Sequence, residues 1–175
     1  MQNFLVTSAI GSNKPGMVEA FSRTVKECGC SIVDSRMTVL GGEFAMILLL
    51  SGTWDSIAKL EAALPRLEQQ LGLHITSRRT TSDTSSHSFM PYAVEVVAMD
   101  HPGIVHEIAH FFSHREINIV ELNTGSYAAA HTGSPMFSLH MTISIPSDLS
   151  IAALRGDFMD FCDHLNLDAI LEPVK

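Results

Sequence analysis

The sequence predicts an α+β protein built from two ferredoxin-like β-α-β-β-α-β units in tandem, over 1–79 and 91–175, with a linker at 80–90. Three observations carry this. Pro15-Gly16 recurs as Pro102-Gly103, 87 positions on, and at the same shift Val18 meets Val105, Ile32-Val33 meets Ile119-Val120, and Asp34 meets Glu121. Both halves run through the same order of strand-like and helix-like periodicities. Between them Thr80 to Ser88, TTSDTSSHS, offers no apolar residue to bury and reads as a solvated connection.

In the first half, Asn3 to Ile10 has the length and apolarity of a strand. Pro15-Gly16 then opens a helix whose Met17, Phe21, Val25 and Cys28 recur every three or four residues, with Gly29 at its exit. Cys28 is expected to fill core space. Ser31 to Leu40 and Glu43 to Ser51 form a hairpin across Gly41-Gly42. Ile57, Leu60, Leu64, Leu67 and Leu71 mark a second helix that Pro65 should kink or restart, and Leu73 to Arg78 closes the unit as a strand.

The second half repeats this with a strand from Tyr92 to Met99, a helix from Pro102 to about His114, and a strand from Ile117 to about Ser126. A longer loop, YAAAHTGSP, replaces the Gly-Gly turn. The strand from Met136 to Ile145 follows, then a helix with Leu154, Phe158, Phe161 and Leu165 on one stripe, and a last strand from Leu167 to Leu171. Phe137, Leu139, Met141, Ile143 and Ile145 alternate with polar residues, as when one sheet face meets helices and the other meets water. The matching run Phe44 to Leu50 is apolar on both faces. Its outward side should therefore be covered by the other lobe or another subunit, and a homodimer is one expected form.

Composition excludes several functions. The net charge is −8, with scattered Lys and Arg, so direct nucleic-acid binding is not expected; Arg78-Arg79 reads as a strand end. No run approaches the roughly 18 to 20 apolar residues of a membrane span. The opening MQNFLVTSAIG has no signal-peptide pattern, which makes the cytoplasm the expected compartment. Cys28, Cys30 and Cys162 fit neither a disulfide framework nor a zinc knuckle.

The shared signature is the turn from first strand to first helix, Ser12 to Met17 and Met99 to Ile104. Glycine there allows close backbone approach to a ligand, and the first amides of a helix attract a carboxylate. Asn13 or Asp100 could hold an ammonium group, with Asn118, at the start of the following strand, expected near enough to add its amide. The plainer alternative is that Pro-Gly only starts a helix.

These turns, the Asn118-Ile119 pair and the tandem order resemble the ACT domain, an amino-acid-sensing module. Gly29 to Trp54, GCSIVDSRMTVLGGEFAMILLLSGTW, preceded by KPGMVEAF, is similar to the glycine cleavage system transcriptional repressor family, itself two ACT domains. The likeness is close in the first half and generic in the second. It implies a regulator that restrains a LysR-type activator by contact, with glycine as the favoured ligand. The ligand would lie between two units, near Asn13, Gly16, Met17 and Ser31 of the first and Asp100, His101, Gly103, Ile104 and Asn118 of the second. Ser31 stands where the second half has Asn118, which makes the second site the better formed. No cofactor, metal or catalytic residue is implied.

Rival readings are an interaction module without ligand and a zinc hydrolase, since His106-Glu107-Ile108-Ala109-His110 spells H-E-x-x-H and His114 extends the row. At the 87-residue shift those histidines fall on Glu19, Arg23 and Glu27, the pattern of a solvated helix face. RNA recognition would need several aromatic residues with basic ones on the third strand, where only Phe44 and Phe137 are aromatic and no Arg or Lys accompanies them, and acylphosphatase chemistry would need an arginine that neither Pro-Gly turn contains.

Overall fold

The computed structural model describes residues 2–81 and 89–174. The first unit runs β1 (Asn3–Ser12), α1 (Met17–Glu27), β2 (Ser31–Leu40), β3 (Glu43–Gly52), α2 (Trp54–Leu71) and β4 (His74–Thr80). The second runs β5 (Phe89–Met99), α3 (Ile104–Ser113), β6 (Asn118–Ala128), β7 (Pro135–Pro146), α4 (Ile151–His164) and β8 (Asp168–Pro173). Both are antiparallel four-stranded sheets, ordered β2-β3-β1-β4 and β6-β7-β5-β8. The chain divides into two compact units whose boundary falls within 82–88, outside the described residues. Of the segment read as linker, Thr80 ends β4 and Phe89 opens β5.

Register explains which face each residue buries. Leu5, Thr7 and Ala9 of β1 lie opposite Leu50, Leu48 and Met46 of β3, all buried, and their side chains share the face that packs on α1 and α2. Phe21 and Val25 of α1 and Ile57, Leu60 and Leu64 of α2 complete that core. In the second unit Val94 and Val96 face Met141 and Leu139, closed by Ile108, Phe112, Leu154 and Phe158. The alternation read in β7 holds, with Phe137, Leu139, Met141, Ile143 and Ile145 all buried.

Three expectations are refined. α2 runs through Pro65 as one 18-residue helix with the ring on the exposed side. Cys28 is only half-buried, and the core cysteine of that corner is Cys30. Arg79, within β4, makes a bidentate bond with Glu61 of α2 (3.0 and 2.7 Å) and lies 5.6 Å from the centre of the Trp54 ring, so it serves the fold.

Both edge strands that follow the first helix carry a bulge at the same place. Register shifts between Ile32 and Asp34 in β2 and between Ile119 and Glu121 in β6, which leaves Val33 and Val120 as the extra residues.

Candidate functional site

The two strand-to-helix turns are built alike. Each is tied to the neighbouring hairpin by one backbone bond, Asn13 N–H donating to the Gly42 carbonyl (3.1 Å) and Asp100 N–H to that of Pro135 (2.9 Å). The chain then enters the helix through Gly16 (φ 88°) and Gly103 (φ 101°), left-handed conformations that glycine adopts without a Cβ penalty. A Cβ would meet nothing within 4 Å at either position, so backbone angle, not crowding, demands glycine.

What distinguishes these turns is their capping. α2 and α4 begin on Thr53 and Ser150, whose hydroxyls accept from the amides of Ser56 (3.1 Å) and Ala153 (3.4 Å). Among the described residues no side chain caps α1 or α3. Their first-turn amides therefore stand at the positive end of a helix with no side-chain oxygen to satisfy them. Met17 and Ile104 turn their side chains into the core, so only their backbone can serve a ligand.

In the second unit the Asp100 carboxylate is exposed, and its Oδ2 accepts from Ser126 Oγ of β6 at 3.0 Å. His101 is also exposed, with Nδ1 3.2 Å from the Pro102 carbonyl. Asn13 is exposed at the matching position of the first unit.

Ser31 and Asn118 are not near these turns within their own units. Asn118 pairs with Ser144, itself opposite Pro91 near the start of β5, whereas Asp100 follows the end of that strand. The separation is on the order of 30 Å along the strands at about 3.4 Å per residue. The expectation that Asn118 adds its amide to its own unit's turn is thereby corrected: β6 runs from the far end of the sheet towards the turn, and its end, at Ser126, is what reaches Asp100. Ser31 is likewise level with Phe4, far from Gly16. Asn118 instead shares a depression of about 350 Å³ with His106, His110 and Ser113 on the flank of α3.

Comparison with known proteins adds a second line of evidence. The ACT domain family model matches residues 3–77. The glycine cleavage system transcriptional repressor of Escherichia coli (strain K12) is 32% identical over 174 residues, covering 99% of this chain and 92% of that protein. This chain belongs to the glycine cleavage system transcriptional repressor family. A crystal structure assigned as such a repressor superposes with a TM-score of 0.76 at 28% identity, covering 100% of this chain and 99% of the other. An unknown protein from Galdieria sulphuraria gives a TM-score of 0.80 at 30% identity over the whole of both chains.

As a member of this family the chain is a regulatory ACT-domain protein. The zinc-hydrolase reading of His106, Glu107 and His110 is corrected on geometry. The buried stripe of α3 is Ile104, Ile108, Phe111 and Phe112, which leaves the histidines on its exposed side. Among the described residues no three His, Cys, Asp or Glu side chains are placed to hold a metal. Cysteine nucleophiles are unsupported as well: burial pushes the Cys28 and Cys30 thiols up, and that of Cys162 up to about 11.

Ser126 escaped the sequence reading because its bond to Asp100 depends on the length and register of β6, which no local pattern reports. The capping contrast was open to view, since hydroxyl residues precede α2 and α4 while glycine precedes α1 and α3.

Proposed function

We propose that this protein is an amino-acid-responsive regulator that binds a small amino acid, glycine foremost, at its Pro-Gly turns and acts by contact with a LysR-type activator. Direct DNA contact forms no part of this reading, because 19 acidic residues outweigh 11 Lys and Arg. The regulator works in the cytoplasm, with one ACT unit spanning β1 to β4 and the other β5 to β8, and homodimers are one form of it. No described helix is long and apolar enough to cross a membrane.

One observation carries the ligand assignment: both first helices begin on a left-handed glycine with no side-chain cap, while both second helices are capped by hydroxyls. An amino acid's carboxylate would supply the missing acceptor, and the exposed Asp100 carboxylate in the second unit could meet its ammonium group. That asymmetry favours the second unit as the better site, since Asn13 brings no charge.

A thermal-shift screen of the twenty amino acids tests this. Binding to the folded state alone stabilises by about 2.7 kcal/mol at a hundred times the dissociation constant. Glycine should raise the melting temperature of the wild type and do so less in Asp100→Ala. The absence of a shift with any amino acid would leave an interaction module without ligand as the better account.

A further inference from the structure

We propose that two copies of this chain pair through the helix-free face of the first unit's sheet, about a two-fold axis parallel to the strands. The homodimer of the proposed function thereby gains a surface and a symmetry, and the pairing rests on that part of the reading alone. On this face Val6, Ile10, Ala45, Ile47 and Leu49 form an apolar centre, with Ile10 and Ile47 about half exposed.

The ladder sets these residues in rows across the sheet, and side chains of one row point to the same side. From β2 to β4 one row reads Asp34, Leu49, Val6, Arg78, and the next reads Arg36, Ile47, Ser8, Thr76. A third is centred on Ala45 and Ile10. A two-fold along the strands, passing between β3 and β1, reverses the order of each row in the second copy. Leu49 then meets the partner's Val6, Ile47 the partner's Ser8, and Ile10 the partner's Ala45. A larger side chain faces a smaller one at all three levels, as interdigitating sheets require. Ser8 is buried without being orphaned, because its hydroxyl shares a hydrogen bond with Thr76 Oγ1 (2.6 Å).

The charges at the margins agree with this axis. Asp34 of one copy meets the partner's Arg78, and Arg78 meets the partner's Asp34. Among the described residues the bonds that Asp34 accepts, from Ser35 N–H (2.8 Å) and Arg36 (2.6 Å), both fall on Oδ1, which keeps Oδ2 for the partner's Arg78. Arg78 is exposed, while Arg79 beside it turns to the helix side and Glu61. Aligned sheets cross at about 30°, which shifts the margins by about one residue along the strand, within the reach of an arginine. A two-fold across the strands would instead set Arg36 on the partner's Arg36 and Ile47 on the partner's Ile47. The face is about 19 Å across its four strands and about 30 Å along them, so pairing covers roughly 1,100 Å² over two copies, above the ~1,000 Å² expected of a specific interface.

The second unit does not fit this pairing. Its matching row is Glu121, Thr142, Ala93 and Glu172, acidic at both margins, so the same symmetry would set Glu121 on the partner's Glu172. Glu95 and His140 lie in the next row of that face, which is therefore no apolar complement for the first unit's. A second copy of the first unit's own face is the complement this chain supplies.

The test is sedimentation equilibrium of the full chain. Wild type should be dimeric. Asp34→Arg and Arg78→Glu each set like charges together at both margins, and each should weaken self-association by about tenfold or more. Mixed in equal amounts, the two variants should regain dimers, because both margins of the mixed pair again join opposite charges; mixing would not repair a folding defect. Ile47→Glu should abolish pairing. A monomeric wild type gives the face to another occupant, the second unit or the activator, and overturns both this pairing and the homodimer. Dimers that survive Ile47→Glu or the charge reversals, or variants that stay monomeric on mixing, overturn the pairing and leave the homodimer standing. Glycine binding is read separately at the Pro-Gly turns, which share no residue with this apolar centre or its charged margins.

Discussion

The two units share topology, strand order and even the position of a bulge, yet they fill and finish that frame differently. The second packs an aromatic cluster in which Phe111, Phe112, Phe158 and Phe161 lie with ring centroids 4.9 to 5.2 Å apart. The first relies on leucines and two methionines, Met17 and Met46, around Phe21 and Phe44, and buries Thr7, whose hydroxyl has no hydrogen-bond partner among the described residues. The sheet faces turned away from the helices also diverge. In the first unit Val6, Ile10, Ala45, Ile47 and Leu49 share that face, with Ile10 and Ile47 about half exposed (49% and 48%). In the second the matching face carries Glu95, Ser138, His140 and Thr142. Side-chain volume and register are what the fold demands, and residue identity is free to drift within them.

Exchanging residues between the units is the direct way to break this comparison, and Gly11 should give the largest effect. A Cβ there would stand 2.8 Å from the Gly72 carbonyl oxygen and 3.0 Å from a Leu73 methyl, whereas the second unit holds Ala98 at the matching position. Gly11→Ala should destabilise by about 1–3 kcal/mol through overpacking, measured as a lower midpoint in urea. An unchanged midpoint would mean that β1 and the α2–β4 corner can part freely.

Thr7→Val imports the second unit's Val94 into the first and removes a buried hydroxyl without a partner. Stability should rise by about 1 kcal/mol, seen as a higher urea midpoint at unchanged slope. A loss instead would show that the hydroxyl is satisfied in solution.

The smallest effect concerns acid. Arg79 beside Glu61 holds that carboxyl below its ordinary range, first through their hydrogen bonds. A folded-state value that is depressed stabilises above the unfolded value and is lost as pH falls through the folded one. Wild type should therefore lose stability below about pH 4.3 more steeply than Arg79→Leu. The difference is modest because both groups are partly solvated and screened. Parallel acid-unfolding curves would remove this bond from the account of α2 docking on β4.

Strands and helices were legible from alternation and three-to-four spacing, because each face meets either a core or water. The tandem organisation followed from one displacement shared by several residue pairs. Strand ends were under-read: β1 continues to Ser12, beyond the Ile10 at which its apolar run stops, since ladder bonds extend past the hydrophobic pattern. Turn chemistry was only half visible. Gly29 announces the left-handed exit of α1, but the same turn after α3 is made by Glu116 (φ 57°), a residue type that carries no such signal. The candidate site divided along the same line. The Pro-Gly turns stand out locally, whereas long-range register fixes the partner of Asp100 and sets the start of β6, where Asn118 stands as expected, at the sheet end opposite its own unit's turn.

The bulges at Val33 and Val120 bear on how copies of this protein can add to one another. β2 and β6 lie at sheet margins, where an incoming strand would seek an uninterrupted row of amides and carbonyls. One supernumerary residue breaks that row and throws the bonding groups beyond it out of step with any straight newcomer. These margins are thereby stoppered against runaway strand-on-strand growth. The opposite margins, β4 and β8, keep regular ladders along their whole described pairing with β1 and β5, and are the sides on which a continuous sheet could be extended.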